Sequence, residues 1–167
     1  SSHIRRQSTM SVSSTATVDN TQIFKKVFES ILSSKDAKKN EALKSAVQKG
    51  LDVINSGSKD YLTILSAIKT TCEKANSELK AKAIDLFLKL FDYAQINDEK
   101  EKVELTDASV NIISSCFEGE GTDAEVELQV VRALMHCILL MPCHGASLLK
   151  AVRQIYNVFI FSLNARN

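Results

Sequence analysis

The chain has no tryptophan, one proline and only five glycines in 167 residues. So little punctuation excludes the many tight turns of a β-sandwich and leaves long helices. No apolar run approaches the ~18 residues that cross a bilayer, so no transmembrane helix is expected. The N-terminus is Ser-rich and lacks the apolar stretch of a secretory signal. The four cysteines, Cys72, Cys116, Cys137 and Cys143, each lie in or beside an apolar helical pattern. They read as reduced, buried thiols of a cytoplasmic protein rather than as disulfides. Net charge is +1, which argues against a general nucleic-acid binder. There is no Gly-rich phosphate loop, no Gly-x-Ser-x-Gly and no carboxylate pair with a partner histidine. No catalytic residue, no metal and no cofactor is therefore expected, and the chain does not read as an enzyme.

What is present suits a globular helical domain: 44% hydrophobic and 25% charged residues, in a chain long enough for one real core. Charge is unevenly spread. Residues 98–127 carry ten acids and two lysines, whereas residues 128–167 carry Arg132, Lys150, Arg153 and Arg166 and no acid. Such asymmetry suits partner surfaces or self-association; a solvated acidic loop is the blander reading.

Residues 1–19 contain nine Ser or Thr and few large apolar groups, and are expected to be a disordered tail. Within it, Arg5–Ser8 (RRQS) has the form of a basophilic kinase site, or of a random basic tail. From residue 20 the pattern is helical. Ile23, Phe24, Val27, Phe28, Ile31 and Leu32 share one face. A second helix is predicted over about 36–55, a third over about 59–74, and a fourth, capped by Asn76 or Ser77, to about Ile96. NDEKEKVELTD reads as an exposed charged loop, with Thr106 capping a short fifth helix. Thr122–Glu125 (TDAE) reads as a capping box for helix six, which runs to about Met141. Helix seven runs from about Gly145 to Leu163. Helix six is apolar nearly all round, with only Gln129, Arg132 and His136 polar, so neighbours on at least two sides are expected. Seven helices without strand signals make an all-α fold, and antiparallel helical pairs stacked into a layered solenoid fit better than a four-helix bundle.

The stretch LLMPCHGASLLK brings Cys143 beside His144, just after His136 and Cys137. Adjacent helical residues point 100° apart, so His136 and Cys137 cannot share a metal. CxxC and HxxxH pairs are absent. Pro142 and Gly145 instead mark a helix corner, with His144 as a turn or capping residue.

AIDLFLKLFDYA (83–94), CFEGEGTDAEV (116–126), LQVVRAL (128–134) and HGASLLKAVRQIYNVF (144–159) carry a family resemblance over roughly the last half of the chain. They resemble the N-terminal dimerisation and cyclophilin-binding (DCB) domain of large trans-Golgi guanine-nucleotide exchange factors for Arf GTPases, of the Sec-seven and brefeldin-A-inhibited type, closest to fungal members. The resemblance implies a regulatory, non-catalytic armadillo- or HEAT-like α-solenoid over residues 20–167. It implies self-association (a homodimer), packing on a downstream "homology upstream" domain, and recruitment to trans-Golgi network membranes by a small GTPase of the Arf or Arf-like family. A related Golgi scaffold without an exchange domain, or an armadillo-like adaptor for a peptide, are the alternatives; the asparagine ladder expected of the adaptor is not seen. LKLFDY is the part the resemblance associates with GTPase recognition, making Leu88, Lys89 and Tyr93 the candidate patch. Lys89 has Asp85 and Asp92 at ion-pair spacing, so an ordinary exposed pair is the plain alternative. On helix seven, Leu148, Leu149, Val152, Ile155, Tyr156, Phe159 and Leu163 form one apolar arc. Val158 and Phe161 fall outside it and are the candidate surface for a second copy or the next domain.

Overall fold

A computed structural model describes the backbone of residues 13–165 and the side chains of residues 20–165. Ser8 and the rest of residues 1–12 lie outside the described residues. Nine α-helices and no strand occur among the described residues: α1 Ser13–Leu32, α2 Lys35–Lys39, α3 Glu41–Ser56, α4 Tyr61–Lys74, α5 Ser77–Asp85, α6 Phe87–Ala94, α7 Glu99–Ser115, α8 Ala124–Leu140 and α9 Gly145–Ala165. The first turns of α1 thus run through residues assigned by sequence to the tail.

Short polar side chains start the helices. Asn40, Asp60, Asn76 and Asp98 each accept a hydrogen bond from the amide three residues on, satisfying a donor that the first turn leaves free. Gly57, at φ 71°, ends α3 in the left-handed conformation that the break at INSGSKD demands.

Four expectations need correction. The second helix is two, α2 and α3, because Asn40 adopts an extended conformation between them and caps the second. The long fourth helix is two, because Leu86 breaks it: the Leu86 and Lys89 amides bond three residues back, to Ala83 and Leu86. The charged loop is in fact the first half of α7. Asp98 is its cap, and Thr106 is buried mid-helix, donating to the Lys102 carbonyl. Acids at Glu99 and Glu101 suit a helix N-terminus, an electrostatic preference that outweighs the exposed look of the segment. Finally, Thr122 closes a turn by accepting from the Glu118 amide at 3.0 Å, and Asp123 takes the cap position of α8 without a side-chain bond.

The helices stack in two rows. α1, α5/α6 and α8 form one row; α3, α4, α7 and α9 form the other. α1 packs on α3, α4 on α5, and α7 on α8 across the rows, so the architecture is an all-α solenoid. A single core runs its length, from Phe24, Phe28 and Ile31 of α1 to Val130 and Leu134 of α8. Neighbours within a row can approach closely where side chains are small. A Cβ on Gly50 of α3 would sit 2.9 Å from that of Ala67 on α4, so the close approach of these two helices needs a glycine there.

Candidate partner surfaces

α9 is the C-terminal helix of the stack and carries the candidate docking surface. Its inner face is attached largely by polar side chains. Ser147 donates to Asp107 at 2.5 Å, Lys150 to Asn111 at 2.8 Å and Gln154 to the Ser114 carbonyl at 2.7 Å, all on α7. Ala151 and Val158 are the buried residues on this helix. Phe161 lies half-buried, edge-on to Phe117 with ring centroids 5.9 Å apart.

These contacts overturn the assignment of Val158 and Phe161 to an uncovered surface. The chain covers both itself. The apolar arc of the same helix is what stays open. Leu149, Val152, Tyr156, Phe159 and Leu163 are each about half exposed or more. Their 3-4-3-4 spacing forms a continuous seam along the helix.

α8 extends this surface. Val126, Val130, Ala133, Leu134 and Cys137 face the core. Leu128, Met135, Leu139 and Leu140 are exposed, so the second apolar side of α8 has no covering helix, contrary to the expectation from its all-round apolarity. Of the twelve exposed large hydrophobic side chains among the described residues, all but Leu62 lie on α8 or α9. A shallow groove between the two helices, about 330 Å³, joins Leu128 and Val131 to Ile155 and Phe159.

The corner between them follows from backbone chemistry. α8 stops at Leu140, Pro142 follows, and Gly145 opens α9 at φ 55°, which suits a residue without Cβ. Cys143 turns inward and is buried, whereas His144 is exposed. Burial pushes the Cys143 thiol up and holds Cys137 at about 12, so both stay protonated and unreactive at neutral pH. Cys72 is also pushed up, by the hydrogen bond it shares with Cys116 and by burial. Among the described residues no three His, Cys, Asp or Glu side chains converge as metal ligands.

On α6 the three candidate residues part company. Leu88 and Lys89 are half-buried, and Lys89 is in no ion pair, so the anticipated links to Asp85 or Asp92 are not made. Tyr93 is buried at 4% exposure and cannot be part of a docking patch. Its hydroxyl donates to the Ser58 carbonyl at 2.5 Å. Lys59 lies 4.6 Å above the ring and donates to the Tyr93 carbonyl at 3.3 Å, and Phe24 meets the ring edge-on. Tyr93 therefore clamps α6 against the α3–α4 turn, a long-range pairing that helical periodicity cannot reveal. Burial raises its pKa, so the phenol remains a donor. Tyr93→Phe is expected to lower stability by about 1–2 kcal/mol by leaving the Ser58 carbonyl without its donor. Urea denaturation checks this; an unchanged midpoint would mean water replaces the bond. Burial lowers the pKa of His136, partly opposed by nearby Asp92 of α6, while Gln129 and Arg132 of the same stripe line a groove with Glu78, Lys82 and Asp85 of α5.

No family model matches the chain. Individual proteins do. The chain is 36% identical, over 206 aligned positions, to the ADP-ribosylation factor guanine nucleotide-exchange factor SEC7 of Saccharomyces cerevisiae. That alignment takes in all of this chain and 10% of the relative. It is 35% identical over 102 positions to sec71 of Schizosaccharomyces pombe, an exchange factor of the same description, covering 58% of this chain and 6% of the relative. It is 27% identical over 103 positions to the human brefeldin A-inhibited guanine nucleotide-exchange protein 1, again over 58% of this chain and 6% of the relative. The chain thus spans about a tenth or less of these relatives.

Proposed function

We propose, for a chain that belongs with the Arf guanine-nucleotide exchange factors of the Sec7 and brefeldin-A-inhibited type, the role of their non-catalytic DCB domain over residues 20–167. It serves as a regulatory interaction module. The observation that carries this reading is the apolar surface of α8 and α9. A contiguous exposed face of that size marks an interaction site. The seam on α9 suits another helix laid lengthwise, from a second copy or from the next helical domain of the factor.

The α6 surface around Leu88 and Lys89 is the second contact, with a GTP-bound Arf-like GTPase that recruits the factor to trans-Golgi network membranes in vesicle transport. Tyr93 supports this patch from beneath and does not touch the partner. Among the described residues Lys89 makes no ion pair, which leaves its charge to an acidic group on the GTPase. Lys89→Asp is expected to reduce capture on beads bearing the GTP-loaded GTPase by about tenfold or more, with unchanged melting. Equal retention of variant and parent would remove Lys89 from the contact.

A further inference from the structure

The row α3, α4, α7, α9 carries three grooves in succession, the last of which borders the α9 seam at Leu149. The first, about 450 Å³, lies between α3 and α4. The second, about 510 Å³, lies between α4 and α7. The third, about 490 Å³, lies between α7 and α9. The first two share Leu62 and Ser66 as a common wall; the last two share Asn111 and Ser115. Side by side on one face of the stack, they make a channel interrupted by the α4 wall (Leu62, Ser66) and the α7 wall (Asn111, Ser115). With helix axes ~8–10 Å apart, its length is roughly 25 Å, the span of six to eight extended residues at ~3.3 Å each.

The channel is cationic although the whole chain is nearly neutral. One exposed cation stands at the first groove (Lys49), one at the second (Lys69) and two at the third (Lys150 and Arg153); Glu73 is the single acid among the lining residues. Among the described residues none of the four is in an ion pair, although Lys150 also donates to Asn111. Between them stand side-chain hydroxyls and the Asn111 amide, which can bond a peptide backbone. We propose that this channel binds an extended acidic peptide segment of a partner protein, its carboxylates answering the four cations. A recessed track with hydrogen-bonding groups along its floor fits an extended backbone, whereas a membrane would need a protruding basic face. The ladder here is one of mixed hydroxyl and amide groups, and it escaped notice in the sequence because its members come from four helices.

The test is fluorescence anisotropy of the full chain with a fluorescein-labelled octapeptide of alternating glutamate and serine, at low salt. Binding is expected, and Lys69→Glu with Arg153→Glu should weaken it about tenfold or more. Lys38→Glu with Lys39→Glu changes net charge equally on α2, outside the channel, and should leave the affinity within twofold. Phe159→Asp should also leave it unchanged, which separates this channel from the α8–α9 face. Failure to bind the peptide, or an equal loss in the α2 control, overturns the proposal. So would preferential binding to phosphatidylcholine vesicles containing phosphatidylserine that the channel variant abolishes, since that would make the surface a membrane contact. Thermal melting by circular dichroism confirms that each exposed substitution leaves the fold intact.

Discussion

Ala133→Asp is expected to unfold the chain. Ala133 is 2% exposed in the middle of α8, among Val130, Leu134 and Cys137. A carboxylate there loses its hydration and must either stay charged in an apolar setting or take up a proton. Either way the cost is several kcal/mol, on the order of the ~5–15 kcal/mol that stabilises a whole domain. Far-ultraviolet circular dichroism during a thermal scan would read the loss directly. Met135→Asp, two residues on but 41% exposed, is the matched control and should melt within a few degrees of the parent. If Ala133→Asp stayed soluble with unchanged melting, the placing of α8 in the core would be wrong.

The second large effect is on association rather than stability. Phe159 is 63% exposed at the centre of the α9 seam, so Phe159→Asp should leave the melting temperature unchanged while abolishing docking on this face. Light scattering behind a sizing column, over a range of concentrations, would show whether a dimer of the chain splits. Phe161→Asp should do the opposite. It removes a ring packed on Phe117 and places a charge in a half-buried position, costing about 1–3 kcal/mol of stability. Its direct effect on docking should be small. A Phe161 variant that dissociates without destabilisation, beside a Phe159 variant that stays associated, would reverse the assignment of the two faces. A chain monomeric in every form would leave the α9 seam to the next helical domain of the factor, where the same substitutions can be read by co-purification.

The reversal on α9 shows why one helix can be read well and still be oriented wrongly. Its apolar arc is plain in the sequence, but periodicity reports only that residues share a side. Here the side against α7 is held by Ser147, Lys150 and Gln154, which form specific hydrogen bonds and look like a solvent face until their partners forty residues earlier are known. Tyr93 is the same lesson on α6. Its buried position depends on Ser58, Lys59 and Phe24, none of which lies within reach along its own helix.

Sequence alone determined that the chain is all-α, that a helix begins at Asn76 or Ser77, that Pro142 and Gly145 separate the last two helices, and that Val130, Ala133, Leu134 and Cys137 share a buried face. These follow from local forces: capping, backbone restriction and the 3.6-residue period act within a few residues of each other. Only the tertiary structure decided which apolar face of α8 and α9 remains open, that Tyr93 is buried as a clamp on α6, and that cations from α3, α4 and α9 stand along one row of grooves. Each of those depends on which helices become neighbours. That choice is set by the summed burial and hydrogen bonding of the whole stack, a quantity no local window contains.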